Sequence, residues 1–209
     1  MLNIASVKNP TMLLLAGLLM MGFFIAPVEA QTPEQEIRAM LEQRDQEIKQ
    51  AIQPLIEKTA TAEQRKRVED MVNDVIDFEE MGRVALGRYW ADLTEAQRAE
   101  FIDVFADIVR SQSLADPNIY NAAVAYDEVK VVADSAYVKT TTVYQDKSTV
   151  VEYTMGAKNG TWWITDIILD EVSTVGSYVR SFQTAIRKRG FEGLMKSLYK
   201  KREKLQTSS

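Results

Sequence analysis

Apolar residues recur every three to four positions between residues 33 and 113, then every second position between 124 and 170. The chain therefore predicts a helical half followed by a half made of strands. From Pro33 to Ile56, Ile37, Met40, Leu41, Ile48, Ile52, Leu55 and Ile56 form a stripe among charged residues, with Pro54 ending or kinking the helix. Thr61 to Val75 predicts a second helix, capped by Thr61 and Gln64. Asp77 opens a third over Phe78–Leu86, with Glu79 and Glu80 at its positive end. Thr94, followed three residues later by Gln97, reads as a capping box for a fourth helix reaching about Ser113.

Asp116-Pro117-Asn118 breaks the helical pattern. Val124–Ala133, Ala136–Gln145, Thr149–Ala157 and Thr161–Asp170 are rich in Val, Thr, Tyr, Trp and Ile and are separated by short turn sequences, which predicts an antiparallel meander. Val151, Tyr153 and Met155 alternate with Glu152 and Thr154, giving that strand one apolar and one wet face. Helical spacing returns over Val175 to Ile186; Gly190 ends it, and Phe191 to Leu205 forms a last basic amphipathic helix. The class is α+β: a helical amino-terminal half, a curved antiparallel sheet of four or five strands, and carboxyl-terminal helices packing back on it.

The ends change the domain assignment. Lys8 precedes an uncharged run from Met12 to Ile25, and Val28-Glu29-Ala30 offers the small residues that a signal peptidase reads. Residues 1–30 are expected to be a cleaved secretory signal, residues 31–205 a single domain, and residues 206–209 a disordered tail. The sequence holds no cysteine and no histidine. That removes disulfides, Ser-His-Asp and Cys-His nucleophile systems, and the usual zinc ligand sets. Carboxylate, lysine, tyrosine and serine remain for chemistry, and the chain is read as a non-enzyme. Nine Lys or Arg face two Glu from Arg180 onward, whereas residues 31–179 carry 15 basic and 27 acidic side chains. The basic end is suited to docking on an anionic membrane or an acidic partner, or else is a solvated face balancing the acidic body. An acidic exported body argues against nucleic acid.

Three segments resemble the MlaC family, also described as toluene-tolerance or Tol-Ttg2-type proteins. The first is Val84-Ala-Leu-Gly-Arg-Tyr-Trp90 with Thr94, Gln97, Arg98, Phe101 and Phe105 following in register. The second is Val151 and Tyr153, then Trp162, Ile164, Asp166 and Ile167. The third is Val172-Ser173, Tyr178 and Phe182, then Gly190-Phe-Glu-Gly-Leu194. Order and spacing hold from about residue 75 to 198. Glu171 stands where the family usually has glycine, and the connection from Ser111 to Val124 is shorter than usual.

The resemblance implies a periplasmic phospholipid-binding protein of an ABC-driven lipid-transport system that maintains outer-membrane lipid asymmetry. Its partners would be an inner-membrane MCE-domain/ABC transporter complex and an outer-membrane lipoprotein complex. Transient membrane contact would run through the basic carboxyl-terminal helix. No cofactor or metal is implied; the phospholipid is cargo. It also implies a deep apolar cavity between sheet and helices. Two acyl chains carry roughly thirty methylenes, at about 0.8 kcal/mol each, so leaving them wet would cost on the order of 20 kcal/mol. The residues expected to line that cavity are Val84, Leu86, Tyr89, Phe105, Val109, Val138, Val151, Tyr153, Met155, Ile167, Val172, Val175, Val179 and Phe182. For any single one of them, plain core packing is the commoner explanation. Three rival readings stand beside this one: the same fold carrying a hopanoid or other terpenoid lipid, a small-molecule enzyme with Asp166 as base, and a periplasmic interaction module with a filled core and no ligand.

Overall fold

A computed structural model describes residues 31–207. The signal-peptide reading of residues 1–30 therefore lies outside the described residues, as do the last two residues of the expected tail. Helix α1 spans Pro33–Ala51, α2 Gln53–Ile56, α3 Ala62–Asn73, α4 Phe78–Leu86 and α5 Glu95–Ser113. Strands β1 Ala123–Val132, β2 Ser135–Tyr144, β3 Lys147–Lys158, β4 Thr161–Leu169 and β5 Val172–Ser173 follow, and α6 runs from Thr174 to Thr207.

Three helices begin on the same device. Thr32, Thr61 and Thr94 each accept a hydrogen bond from the backbone N–H three residues on, while Gln35, Gln64 and Gln97 reach back to the N–H of the cap. The proline at 54 starts a new helix, since it falls within the first turn of α2 after a bend at Ile52. α6 is bent at Gly190 (φ 70°, ψ 177°), so the two predicted carboxyl-terminal helices are arms of one element, and its last turn extends past Leu205 to Thr207.

The five strands pair in chain order, each antiparallel to the next. Two bulges interrupt the alternation, one at Asp127 in β1 and one at Thr165 in β4, where strand register shifts by a residue. Bulges increase local twist and bend the strand. Register places Val131, Ala136, Met155 and Ile164 in one row and Val129, Val138, Tyr153 and Ile167 in the next, all on one face. That inner face is covered by helices: α1 packs on β1, α4 on β4, and α6 on β4 and β5. The outer face carries Lys139 beside Glu152 and Tyr137 beside Thr154, with the Tyr137 hydroxyl donating to Glu152.

The main core joins the inner face to α4, α5 and α6 through Met81, Leu86, Phe101, Phe105, Phe182 and Val138, each at most 3 % exposed. A second, smaller core of Ile52, Leu55, Val68 and Leu114 holds α2 and α3 against the end of α5.

Candidate functional site

The fourteen residues expected to line a cavity divide into three groups. Leu86, Phe105, Val138, Met155, Val175 and Phe182 are buried in the main core. Tyr89, Val109, Tyr153, Ile167 and Val179 are half-buried and packed against it, and Val151 is half-buried on the same strand face as Tyr153. Val84 and Val172 are on the surface, 40 % and 57 % exposed. Neither is inside. The buried side of α4 is made by Phe78, Met81, Gly82, Ala85 and Leu86, which leaves Val84 off the stripe. Val172 belongs to the two-residue edge strand after the Asp170–Glu171 turn.

Of the half-buried members, Tyr153 and Val151 of β3 oppose Ile167 and Leu169 of β4 at one end of the inner face. Leu169 is 48 % exposed. These valine, isoleucine, leucine and tyrosine side chains form an apolar strip that the helices only partly cover.

The residues that carry the sequence motif build the frame instead. Gln97 completes the α5 cap. Arg98 donates to the carbonyls of Trp90 and Ala91 at 3.1 and 3.2 Å, and its guanidinium lies 5.3 Å from the Trp90 ring centre. It thereby ties the end of the Gly87–Trp90 turn to the first turn of α5. Phe101 and Phe105 stack at 5.7 Å, and both meet Phe182 edge-on, at 5.8 and 6.0 Å. Gly82 lets α4 approach this stack: a Cβ there would sit 2.4 Å from Ile102 Cδ1 and 2.9 Å from Phe101 Cε1.

Asp166 also has a structural post. Its Oδ1 accepts the Val175 N–H at 2.9 Å and its Oδ2 the Ser173 hydroxyl at 2.5 Å, while Ser173 Oγ accepts the Gly176 N–H at 2.7 Å. Both oxygens serve the first turn of α6. At the other end of that helix, Arg202 pairs with Asp103 and Asp107 of α5 at 3.2 Å, and Tyr199 donates to Glu100. Among the described residues, Arg187, Lys188 and Arg189 are exposed and engage no carboxylate. No three-membered Asp or Glu group suited to a metal, and no helix long and apolar enough to cross a membrane, occurs among the described residues.

Sequence periodicity missed a polar cluster on the same inner face. Tyr126 of β1 is paired with Thr140 of β2, which is itself paired with Val151 of β3; Tyr153 lies two positions along β3 from Val151. Thr140 is 1 % exposed and donates to the Val151 carbonyl at 2.9 Å. Tyr120, from the turn before β1, donates to the Ser113 carbonyl at 2.7 Å. Burial raises the phenols of Tyr120, Tyr126 and Tyr153 above their ordinary value, and Tyr153 reinforces the rise at the other two. The three rings thus share one poorly hydrated neighbourhood. Strict alternation would set Tyr126 and Val129 on opposite faces; the extra residue at Asp127 brings them to the same one.

Two surface grooves lie elsewhere. One of about 440 Å³ runs between Gln97 and Glu100 of α5 and Phe191, Met195 and Tyr199 of α6. The other, about 210 Å³, is bounded by Ile76, Phe78, Lys158 and Trp163. Neither includes any of the fourteen predicted residues.

A helical half, an open five-stranded antiparallel meander and a long helix returning over its inner face define the class. Residues 30–200 match the family model described as MlaC protein. The chain belongs to the MlaC family. It is similar in structure to the phospholipid-binding protein from Ralstonia solanacearum, solved in complex with a phospholipid, with a TM-score of 0.72. The likeness covers 84 % of this chain and 99 % of that one at 20 % identity, so it shows the fold. No curated protein matches the chain.

Proposed function

We propose that this protein binds phospholipid and carries it through the periplasm between an inner-membrane MCE-domain/ABC complex and an outer-membrane lipoprotein complex. The observation that carries the reading is family membership over residues 30–200. Two further observations support it. The Ralstonia protein of the same fold was solved with a phospholipid bound. The inner sheet face here keeps Val151, Tyr153 and Ile167 only half-covered, with half-buried Val179 on α6, apolar surface that a ligand would dry. The signal-like pattern of residues 1–30 supports export.

The chemistry required is binding, not bond-making. The pocket must hold acyl chains about as well as a bilayer does, so that loading and unloading both remain accessible. Asp166, the carboxylate best placed in sequence to act as a base, has both oxygens occupied at the start of α6. Native mass spectrometry of the full chain, expressed with export intact, tests the proposal. The expected result is a diacyl lipid adduct that is recovered in an organic extract. A lipid-free mass with a lipid-free extract overturns it, and a terpenoid in the extract moves the cargo to the alternative class.

A further inference from the structure

The carrier reading leaves Tyr126, Tyr153 and Thr140 unexplained. An apolar cavity for hydrocarbon needs no hydroxyls, and each buried one costs free energy unless it is bonded. Yet the inner face sets them together by register: Tyr126 across from Thr140, Thr140 across from Val151, and Tyr153 one alternation further along β3. Thr140 spends its proton on the Val151 carbonyl, and its hydroxyl is also the hydrogen-bonding neighbour of the Tyr153 phenol, which keeps its own proton to donate elsewhere. Among the described residues the Tyr126 hydroxyl donates to no protein group, although its backbone carbonyl and its ring are both held, by Arg38 at 2.6 Å and 5.7 Å. The ring is fixed while its polar tip is free.

The charges around the cluster say what that tip can meet. Lys49 is paired with Asp45 at 2.7 Å, and both side chains are about one-fifth exposed. Arg38 is paired with Glu42 at 3.3 Å and with the Tyr126 carbonyl. Asp45 is close enough to raise both phenols. Among the described residues the cations beside the cluster, Arg38 and Lys49, are both committed, and the carboxylates of Asp45 and Glu42 stand near Tyr126. A phosphate would be repelled and poorly desolvated there, whereas a neutral carbonyl oxygen would be a suitable acceptor.

Resting on the carrier reading, we propose that the Tyr126 and Tyr153 hydroxyls donate to the ester carbonyls of a bound acyl lipid, so that this cluster marks where the hydrocarbon part of the ligand ends. The headgroup phosphate then lies beyond it, outside the reach of Asp45. The cluster selects ester-linked lipids over lipids of equal chain length that lack the carbonyl.

The test compares two phosphatidylcholines of identical chains, one ester-linked and one ether-linked, loaded onto delipidated full-length protein and measured by competition. One hydrogen bond's usual net contribution predicts an ester preference of roughly three- to tenfold per carbonyl engaged. The doubly substituted Tyr126→Phe/Tyr153→Phe protein should bind both lipids alike, at the ether lipid's affinity. Equal binding of the two lipids by the native protein overturns the assignment, as does a preference that survives in the double variant. Should the double variant fail to fold, Tyr126→Phe alone must still lower the preference. Failure of the native protein to bind either lipid would instead remove the carrier reading on which the assignment rests.

Discussion

Asp166 Oδ1 and the backbone N–H of Val175 are 2.9 Å apart, so a carboxylate near the end of β4 caps the helix that returns across the sheet. Capping bonds of this kind contribute about 0.5–2 kcal/mol. Asp166→Ala should therefore lower the unfolding free energy by an amount in that range, read from the shift of the urea midpoint, while Asp166→Asn, which keeps an acceptor oxygen, should lose less. Lipid content per folded molecule should be unchanged in both. A midpoint equal to that of the native protein in the alanine variant would remove the capping role.

Gly82 sits where α4 crosses α5, and a side chain there meets the Phe101 ring inside the aromatic stack. Gly82→Val should cost roughly 1–3 kcal/mol through overpacking, read as a fall in melting temperature. A stable valine variant would show that α4 can shift outward without cost.

Glu171 adopts φ 67° in the two-residue turn between β4 and β5, a backbone region that costs a residue with a Cβ roughly 1–2 kcal/mol. Glu171→Gly relieves that cost but frees the unfolded chain, which offsets part of the gain. The net expectation is a stabilisation of about 0.5–1 kcal/mol by denaturant titration. A loss would mean that the glutamate side chain supports the turn in another way.

Tyr120, Tyr126, Tyr153 and Tyr178 all have phenols raised above the ordinary value, chiefly by burial. In the unfolded chain they ionise near pH 10. Their contribution is therefore complete below about pH 10 and is lost as pH rises through the higher folded-state values, because the unfolded chain releases its protons first. Phenolate absorbance and loss of circular dichroism should rise together for these residues. A large phenolate signal from a protein that stays fully folded would contradict their burial.

Most of the fold was legible because local chemistry and global packing agree. Threonine three residues before glutamine opens three helices, and the strand turns fall where polar residues cluster. The candidate site was legible only in part. Val138, Tyr153 and Met155 follow the alternation and reach the inner face. Tyr126 and Ile164 each stand just before a bulge, so no period read along β1 or β4 assigns them a face together with Val129 or Ile167. Thr140 was passed over because a hydroxyl on an apolar face has no signature until its Val151 partner is known. Val84 lies off the buried stripe of α4, which sequence does not show because an apolar residue within an apolar segment is indistinguishable from the stripe beside it.

Every strand of the sheet is hydrogen-bonded to the strand that follows it in the chain, and the β2–β3, β3–β4 and β4–β5 connections are two residues long. Bringing such neighbours together closes only very short loops, so little chain entropy is given up before the first ladder bonds form. The sheet can be laid down in the order in which the polypeptide is read, with α6, the last element, closing over a surface already in place. α1 and α4 precede the sheet in the chain, so of the helices packed on it only α6 follows, and only its share of the roof is left to close last.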